Sequence, residues 1–326
     1  MTSDKNEDVA VTWFRKYLRV NTEQPNPDYQ KCKEFLFEYG KELGLDCWYK
    51  DCVPGKPMIG MTIPGTDPSL PSLLLYSHTD VVPTFREHWT HDPYEAYKDE
   101  HGNIYARGAQ DMKCVGAQYL EAIRRIHKVG KRNFLRTVHI LFGPDEEIGA
   151  AEGIQQFVKT QKFKDLNIGY SLDEGLASED DTYKVYYGER CTWWFDVRVV
   201  PTENLQALEA RIQEWCKQAG PDVTYEFILQ DKNTNLTPTT KDDPWWNVLS
   251  SVLEEENCKY STEIFIGATD SRYLRARGYK AIGFSPMINT PVLLHDHNEF
   301  LNEKVFLRGV EIYTKLIERL ANVPKH

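Results

Sequence analysis

The sequence predicts an α/β fold with a mostly parallel main sheet and a small β-α-β insertion. Segments such as SLLLYS (72–77) and TVHILF (137–142) are continuous apolar runs, as expected of strands that are covered on both faces. Amphipathic helices alternate with these strands, which is the order found in α/β proteins. The segment 185–232 departs from this order, because its first strand alternates apolar and polar residues like a half-exposed strand.

In the first half of the chain, apolar residues recur at helical spacing in two segments before the first strands. Helices are predicted at 8–20, 29–43, 112–128 and 151–160. The sequence ELGL ends the second of these helices. Strands are predicted at 46–50, 58–64, 72–77, 137–142 and 167–173.

The second half begins with the strand-like stretch 185–200 and a helix at 203–217, with Leu205, Leu208, Ile212 and Trp215 on one face. VTYEFILQ (223–230) reads as another strand, and a polar linker follows it. The tail contains a helix at 245–257, strand-like runs in EIFIG, YKAIGFSP and PVLL, and a final helix at 303–321. We therefore expect one large domain from 1–190 and 233–326, with 191–232 inserted in it.

Composition narrows the possible partners and the compartment. The chain has 39 Lys and Arg against 49 Asp and Glu, a net charge of −10, which argues against nucleic acid and anionic membranes. Its N-terminus lacks the apolar core of a signal peptide, and no run of about 18 apolar residues occurs. Seven cysteines are dispersed without a CxxC pair, as free thiols in a reducing compartment are. We expect a cytoplasmic protein.

Acidic and histidine side chains follow several predicted strands. In an open parallel sheet, ligands bind beyond the carboxyl ends of the strands, so these side chains are expected to converge. Histidines together with carboxylates suit zinc or a similar divalent cation. The residues concerned are His78, Asp80, Asp111, Glu146, Glu147, Asp173, Glu174 and His295 to His297. The adjacent Glu146 and Glu147 could divide two roles, one binding metal and the other acting as a base.

The motifs HTDVVP, RGAQDMK, PDEEIG, LDEG and HDHNE resemble those of the dinuclear zinc amidohydrolases, a family of zinc hydrolases. Within this family the chain is most similar to the cytosolic aminoacylases. Longer stretches carry that resemblance, among them NTEQPNPDY, EHWTHDPYEA and GFSPMINTPVLLHDHNE. It implies hydrolysis of N-acyl-L-amino acids, small-molecule substrates, with two Zn²⁺ ions per chain.

The resemblance also implies individual roles. Asp111 corresponds to the carboxylate that bridges both metals. The pair His78 and Glu174 would complete one zinc site, and the pair Glu147 and His295 the other. Asp80 corresponds to the acid that holds the ring of a metal-bound histidine, and Glu146 to the general base. Arg272 would bind the α-carboxylate of the substrate, with Thr269 lining the same pocket.

The resemblance further implies a lid domain that forms a homodimer and supplies a histidine to the active site of the partner subunit. Here 191–232 is too short for a complete lid, and no histidine lies between His139 and His295. The oxyanion donor and the usual dimer contact are therefore expected to be missing. Two alternatives stay open: a lidless di-zinc aminopeptidase, and a catalytically silent zinc-binding protein that interacts with a partner.

Overall fold

The computed structural model describes residues 7–189, 204–220, 223–224 and 235–325, and the backbone of 191–193 and 197–199. Its α-helices are α1 (Val9–Leu18), α2 (Tyr29–Glu42), α3 (Lys113–Lys128), α4 (Ile154–Phe157), α5 (Gln161–Asp165), α6 (Leu205–Ala219), α7 (Pro244–Glu255), α8 (Ser271–Arg275) and α9 (Glu303–Leu320). Two 3-10 turns cover Arg86–His88 and Glu146–Ile148.

The strands are β1 (Asp46–Val53), β2 (Lys56–Ile63), β3 (Ser72–His78), β4 (Tyr97–Lys98), β5 (Asn103–Tyr105), β6 (Val138–Gly143), β7 (Ile168–Asp173), β8 (Tyr183–Glu189), β9 (Cys191–Trp193), β10 (Val197–Val199), β11 (Tyr260–Phe265), β12 (Lys280–Phe284) and β13 (Phe300–Asn302). Eight of them form one sheet in the order β1-β2-β6-β3-β7-β12-β8-β11. The adjacent pairs β6–β3, β3–β7, β7–β12 and β8–β11 are parallel. This arrangement confirms the α/β class with a mostly parallel sheet.

Each face of the sheet has its own apolar core. Leu73 and Leu75 of β3 belong to a large core that also contains side chains of α1, α2, α3, α7 and α9. Their neighbours Leu74 and Tyr76 belong to a smaller core with side chains of α4, α5 and α8. Successive side chains of a strand point to opposite faces, which explains this division. The predicted strand 72–77 is apolar throughout because both of its faces are covered.

Several helices begin where a side chain can accept a backbone N–H of the first turn. Asp8 accepts from Ala10 before α1, and Asp28 accepts from Lys31 before α2. Asp243 caps α7 in the same way, and Pro244 directly after it occupies the first turn of that helix. Such caps satisfy N–H groups that have no partner within the helix.

Three sequence expectations about elements are wrong in detail. The predicted strand 185–200 divides into β8, which joins the main sheet, and the short antiparallel pair β9–β10. Within the predicted helix 151–160, the α-helix covers Ile154–Phe157 alone, and α5 begins just beyond that range. PVLL (291–294) is not a strand. Its Pro291 cannot donate a backbone hydrogen bond to a sheet, and Val292 is exposed rather than buried in a core.

The strands β13, β5 and β4 form a separate small sheet that the sequence did not predict. They are two or three residues long, too short to show a period of two. In α6, Leu205, Leu208 and Ile212 are half-buried as predicted, but Trp215 is 59% exposed. The next residue of the helix on the half-buried face is Cys216, four positions after Ile212, as helical spacing requires.

Most of the predicted strand 223–230 lies outside the described residues, so the domain boundaries at 190 and 233 stay a prediction. The six cysteines that the structure describes are free thiols. Among the described helices, none combines the length and the apolar character needed to cross a membrane.

Candidate active site

Three of the predicted site residues lie at the carboxyl ends of neighbouring strands. His78 is the last residue of β3, Glu146 opens the 3-10 turn after β6, and Glu174 follows β7. Asp111 and His295 reach the same place from loops: Asp111 precedes α3, and His295 lies in the turn after the PVLL segment. The expectation that every one of these residues follows a strand of the main sheet is therefore wrong for Asp111 and His295.

The structure brings His78, Asp111 and Glu174 into one group. His78 Nε2 lies 3.0 Å from Asp111 Oδ1 and 3.6 Å from Glu174 Oε2. All three residues are buried, so solvent cannot easily compensate their charges. The group offers one imidazole nitrogen and two carboxylate oxygens to a single point.

A second group shares Asp111 with the first. His295 Nε2 lies 3.1 Å from Asp111 Oδ2 and 3.0 Å from Glu147 Oε2. The two oxygens of Asp111 thus face different histidines, which is the geometry required of a bridging carboxylate. The His295 side chain is 51% exposed, so this second group is more open to solvent than the first.

The burial of so many carboxylates together shifts the pKa values of both groups. Burial and the nearby Asp111 carboxylate raise the pKa of Glu147 to about 7, and the same two causes raise the pKa of Glu174. Hydrogen bonds to Asp111 and Glu147 raise the pKa of His295 to about 10. Burial alone would raise the pKa of Asp111, but the hydrogen bonds from His295 and His78 outweigh it and lower that pKa.

These residues fit two divalent cations. In each group the ligand atoms lie within 4.8 Å of one another, and all of them are imidazole nitrogens or carboxylate oxygens. Zinc accepts such ligands, and a divalent cation would neutralise the carboxylates that are buried together here. The residues that could hold the ions are those predicted from the sequence, although their roles as ligands stay a prediction.

Asp80 contacts the ring of His78 and also the turn that carries Glu146 and Glu147. His78 Nδ1 lies 3.0 Å from the backbone oxygen of Asp80 and 3.7 Å from its carboxylate. The carboxylate also accepts hydrogen bonds from the backbone N–H groups of Glu146 and Glu147, at 3.1 and 3.2 Å. It also accepts one from Gln24 Nε2 at 2.8 Å, a residue that the sequence analysis did not single out. The Asp80 side chain thus holds the turn that presents both glutamates.

A pocket of about 440 Å³ opens beside the two groups. Glu146, half-buried, lines it without belonging to either group, and burial followed by repulsion from Glu174 raises the pKa of Glu146. Arg272 also lines the pocket. Most of the remaining wall is apolar and includes Leu176, Phe265, Ile266, Val292 and Leu294.

Thr269 lies behind the pocket wall and not on it. It is 4% exposed, and its backbone N–H donates to the carboxylate of Glu189. Gly267 and Ala268 of the same loop line the pocket in its place. Asp173 is also a supporting residue, because its carboxylate accepts hydrogen bonds from the backbone N–H and the hydroxyl of Ser271, at the start of the helix that carries Arg272.

Comparison with known proteins supports the resemblance found in the sequence. Residues 74–319 match peptidase family M20/M25/M40. Aminoacylase-1 of Mus musculus is 43% identical over 397 residues, covering 98% of this chain and 97% of that protein. Aminoacylase-1 of Dictyostelium discoideum is 36% identical over 97% of this chain and 98% of that protein. The mouse alignment of 397 positions exceeds this chain of 326 residues, so at least 71 (397 − 326) mouse positions have no counterpart here.

Solved structures show the same fold at low sequence identity. An M20 family metallo-carboxypeptidase from Sulfolobus solfataricus superposes with a TM-score of 0.79 at 13% identity, covering 97% of this chain and 100% of that one. Human carnosine dipeptidase 1 superposes with a TM-score of 0.71 at 12% identity, covering 96% of each chain. The chain therefore belongs to peptidase family M20/M25/M40 and is a hydrolytic enzyme of that family with an aminoacylase-like sequence.

Proposed function

We propose that this chain hydrolyses N-acyl-L-amino acids to a carboxylate and a free L-amino acid, with two zinc ions. The observation that carries the proposal is that Glu146 and Arg272 line the same pocket as residues of both ligand groups. An acid that is not a ligand and a cation that can bind a carboxylate are the two groups that this reaction needs near the metals. The similarity to aminoacylases over nearly the whole chain supports the same reaction.

His78, Asp111 and Glu174 would hold one ion, and Asp111, Glu147 and His295 the other. The two zinc ions would polarise the scissile carbonyl and lower the pKa of the attacking water. Glu146 would take the proton of that water on its carboxylate and deliver it to the leaving amide nitrogen. Its raised pKa, caused first by burial, suits a group that must both accept and return a proton.

Arg272 would bind the α-carboxylate of the substrate. A guanidinium and a carboxylate can form two parallel hydrogen bonds, which fixes the orientation of the substrate as well as its affinity. The Arg272 guanidinium lies over the ring of Tyr273, 4.7 Å from the ring centroid. This contact places the guanidinium beside the ring at the pocket wall.

We also propose that 191–232 is a shortened lid inserted between the catalytic segments 1–190 and 233–326. The 71 or more positions that the chain lacks relative to the mouse protein are enough for most of a small domain. Because no histidine lies between His139 and His295, the lid cannot supply a histidine as oxyanion donor. Loss of one such donor typically lowers the rate by about 10²- to 10³-fold, so we expect slow turnover and no lid-mediated homodimer.

A comparison of substrates separates this proposal from its alternatives. The zinc-loaded protein should hydrolyse N-acetyl-L-methionine and leave L-methioninamide intact, since Arg272 selects a carboxylate. Arg272→Met should raise KM for N-acetyl-L-methionine by about 10- to 100-fold, the worth of a charged hydrogen bond. The matched control is Arg277→Met, because Arg277 is exposed and two residues beyond α8.

The other outcomes decide the alternatives. Hydrolysis of L-methioninamide and not of N-acetyl-L-methionine would indicate an aminopeptidase. Two bound zinc ions without turnover of either compound would indicate the catalytically silent metal protein.

A further inference from the structure

Glu299 is fully buried and contacts the loop that carries Asp111. Its Oε2 accepts hydrogen bonds from Arg107 Nη1 at 2.8 Å and from the backbone N–H of Gly108 at 3.2 Å. Its Oε1 accepts from the backbone N–H groups of Gln110 and Asp111, the latter at 3.2 Å. One carboxylate therefore receives three N–H groups of the loop that ends at Asp111.

Arg107 extends this contact to two further loops. Its Nη1 donates to the backbone oxygen of Asp296 at 2.9 Å, one residue beyond His295. Its Nη2 donates to the backbone oxygen of Pro83 at 3.3 Å, in the segment that follows His78 and Asp80. The guanidinium is 5.2 Å from the centroid of the Trp89 ring, and the whole residue is 1% exposed.

The pair is directed at the backbone of the site loops and not at the ligand atoms. Glu299 and Arg107 belong to neither ligand group, yet their hydrogen bonds reach the loops of Asp111, His295 and His78. The position of Asp111 matters most, because its two oxygens must face two different histidines. A small rotation of its loop would bring one oxygen closer to its histidine and move the other oxygen away from the second histidine.

We propose that Glu299, together with Arg107, is a positioning residue that sets the separation between the two cation-binding groups. This proposal rests on the metal-dependent function proposed above. The role requires a carboxylate at position 299, because both of its oxygens accept hydrogen bonds. Glutamine has one acceptor oxygen, and its NH₂ group would face either the donors of Arg107 and Gly108 or those of Gln110 and Asp111. Hydrogen bonds one layer behind metal ligands typically change metal affinity by about 10- to 100-fold.

The test is zinc binding by the full chain carrying Glu299→Gln, measured by titration against a chelator of known affinity. We expect zinc affinity to fall by about 10- to 100-fold, with an unchanged circular dichroism spectrum and a smaller rise in Tm on zinc addition. The control is Glu318→Gln, which breaks the surface pair between Lys131 and Glu318 and should leave zinc affinity unchanged.

A second variant covers the case in which Glu299→Gln does not fold. Arg107→Lys keeps a cation next to Glu299 but loses the planar fork that also reaches Asp296 and Pro83. We expect it to weaken zinc binding by about tenfold or more. A folded variant of either kind with a lower Tm but wild-type affinity for two zinc ions would overturn the proposal, since the pair would then be structural only. A wild-type chain that binds no zinc would instead contradict the proposed function itself.

Discussion

The carboxylate of Asp80 accepts a hydrogen bond from the backbone N–H of Glu146, with 3.1 Å between the two atoms. Glu146 is the predicted base, so the Asp80 side chain supports the turn that carries the base, and its carboxylate also lies 3.7 Å from His78 Nδ1. That ring contacts the backbone oxygen of Asp80, which any side chain at this position would leave in place. A change of the Asp80 side chain alone therefore keeps the backbone contact to His78 and removes carboxylate contacts to the Glu146 turn.

Asp80→Asn should lower kcat while zinc stays bound at the His78 group. The amide nitrogen cannot accept the N–H of Glu146 or Glu147, so the turn that carries both glutamates loses one of its supports. We expect kcat to fall by about 10- to 100-fold, as for other groups behind a metal site. Steady-state kinetics with zinc counted per chain checks this. A variant without bound zinc would show that Asp80 acts through His78 after all.

Tyr273 joins the two sides of the pocket, and the contacts of its hydroxyl, which also accepts from Gln155 Nε2 at 2.8 Å, can be removed separately from those of its ring. Its hydroxyl donates to the backbone oxygen of Gly149 at 2.8 Å, directly after the Glu146–Ile148 turn, while its ring lies under Arg272. Tyr273→Phe removes the hydroxyl contacts and should lower kcat with little change in KM. Tyr273→Leu removes these and the ring contact, and should also raise KM by about 2- to 30-fold, the range of a cation–π contact. Equal KM values for the two variants would contradict this division.

Zinc affinity should rise with pH. In the cation-free site the pKa of Glu147 is raised to about 7 and that of His295 to about 10, so at pH 6 both side chains carry a proton that zinc must displace. At pH 8 Glu147 is mostly ionised, and fewer protons leave. Each displaced proton lowers affinity by about tenfold per pH unit below the pKa of its group. Calorimetric titration at pH 6 and pH 8, in buffers of different ionisation enthalpy, counts these protons; an affinity independent of pH would contradict the prediction.

The sequence predicts the central strands and three site residues because these depend on local patterns. β3, β6 and β7 are apolar runs between the two cores, and His78, Glu146 and Glu174 follow directly from where those runs end. For these three residues, the predicted end of the strand is enough to place the side chain at the carboxyl edge of the sheet. The same reasoning extends to the helix positions, which capping residues and apolar spacing mark in the chain.

The contacts that reach across the chain were not predictable in this way. His295 lies in a loop, and the backbone N–H of Thr269 donates to the carboxylate of Glu189, 80 residues earlier in the sequence. The role of Glu299 depends on N–H groups 188 to 191 residues away. Periodicity carries no information about such pairs, so the residues that support the site appear only in the folded structure.

The most direct test of the account is the turnover of N-acetyl-L-methionine by the zinc-loaded chain and by Glu146→Ala. We predict measurable hydrolysis by the wild-type chain and a loss of about 10²- to 10⁴-fold in the variant, with two zinc ions bound to both. Turnover in Glu146→Ala equal to that of the wild-type chain would contradict the role of Glu146. A wild-type chain that binds two zinc ions and hydrolyses nothing would contradict the proposed activity.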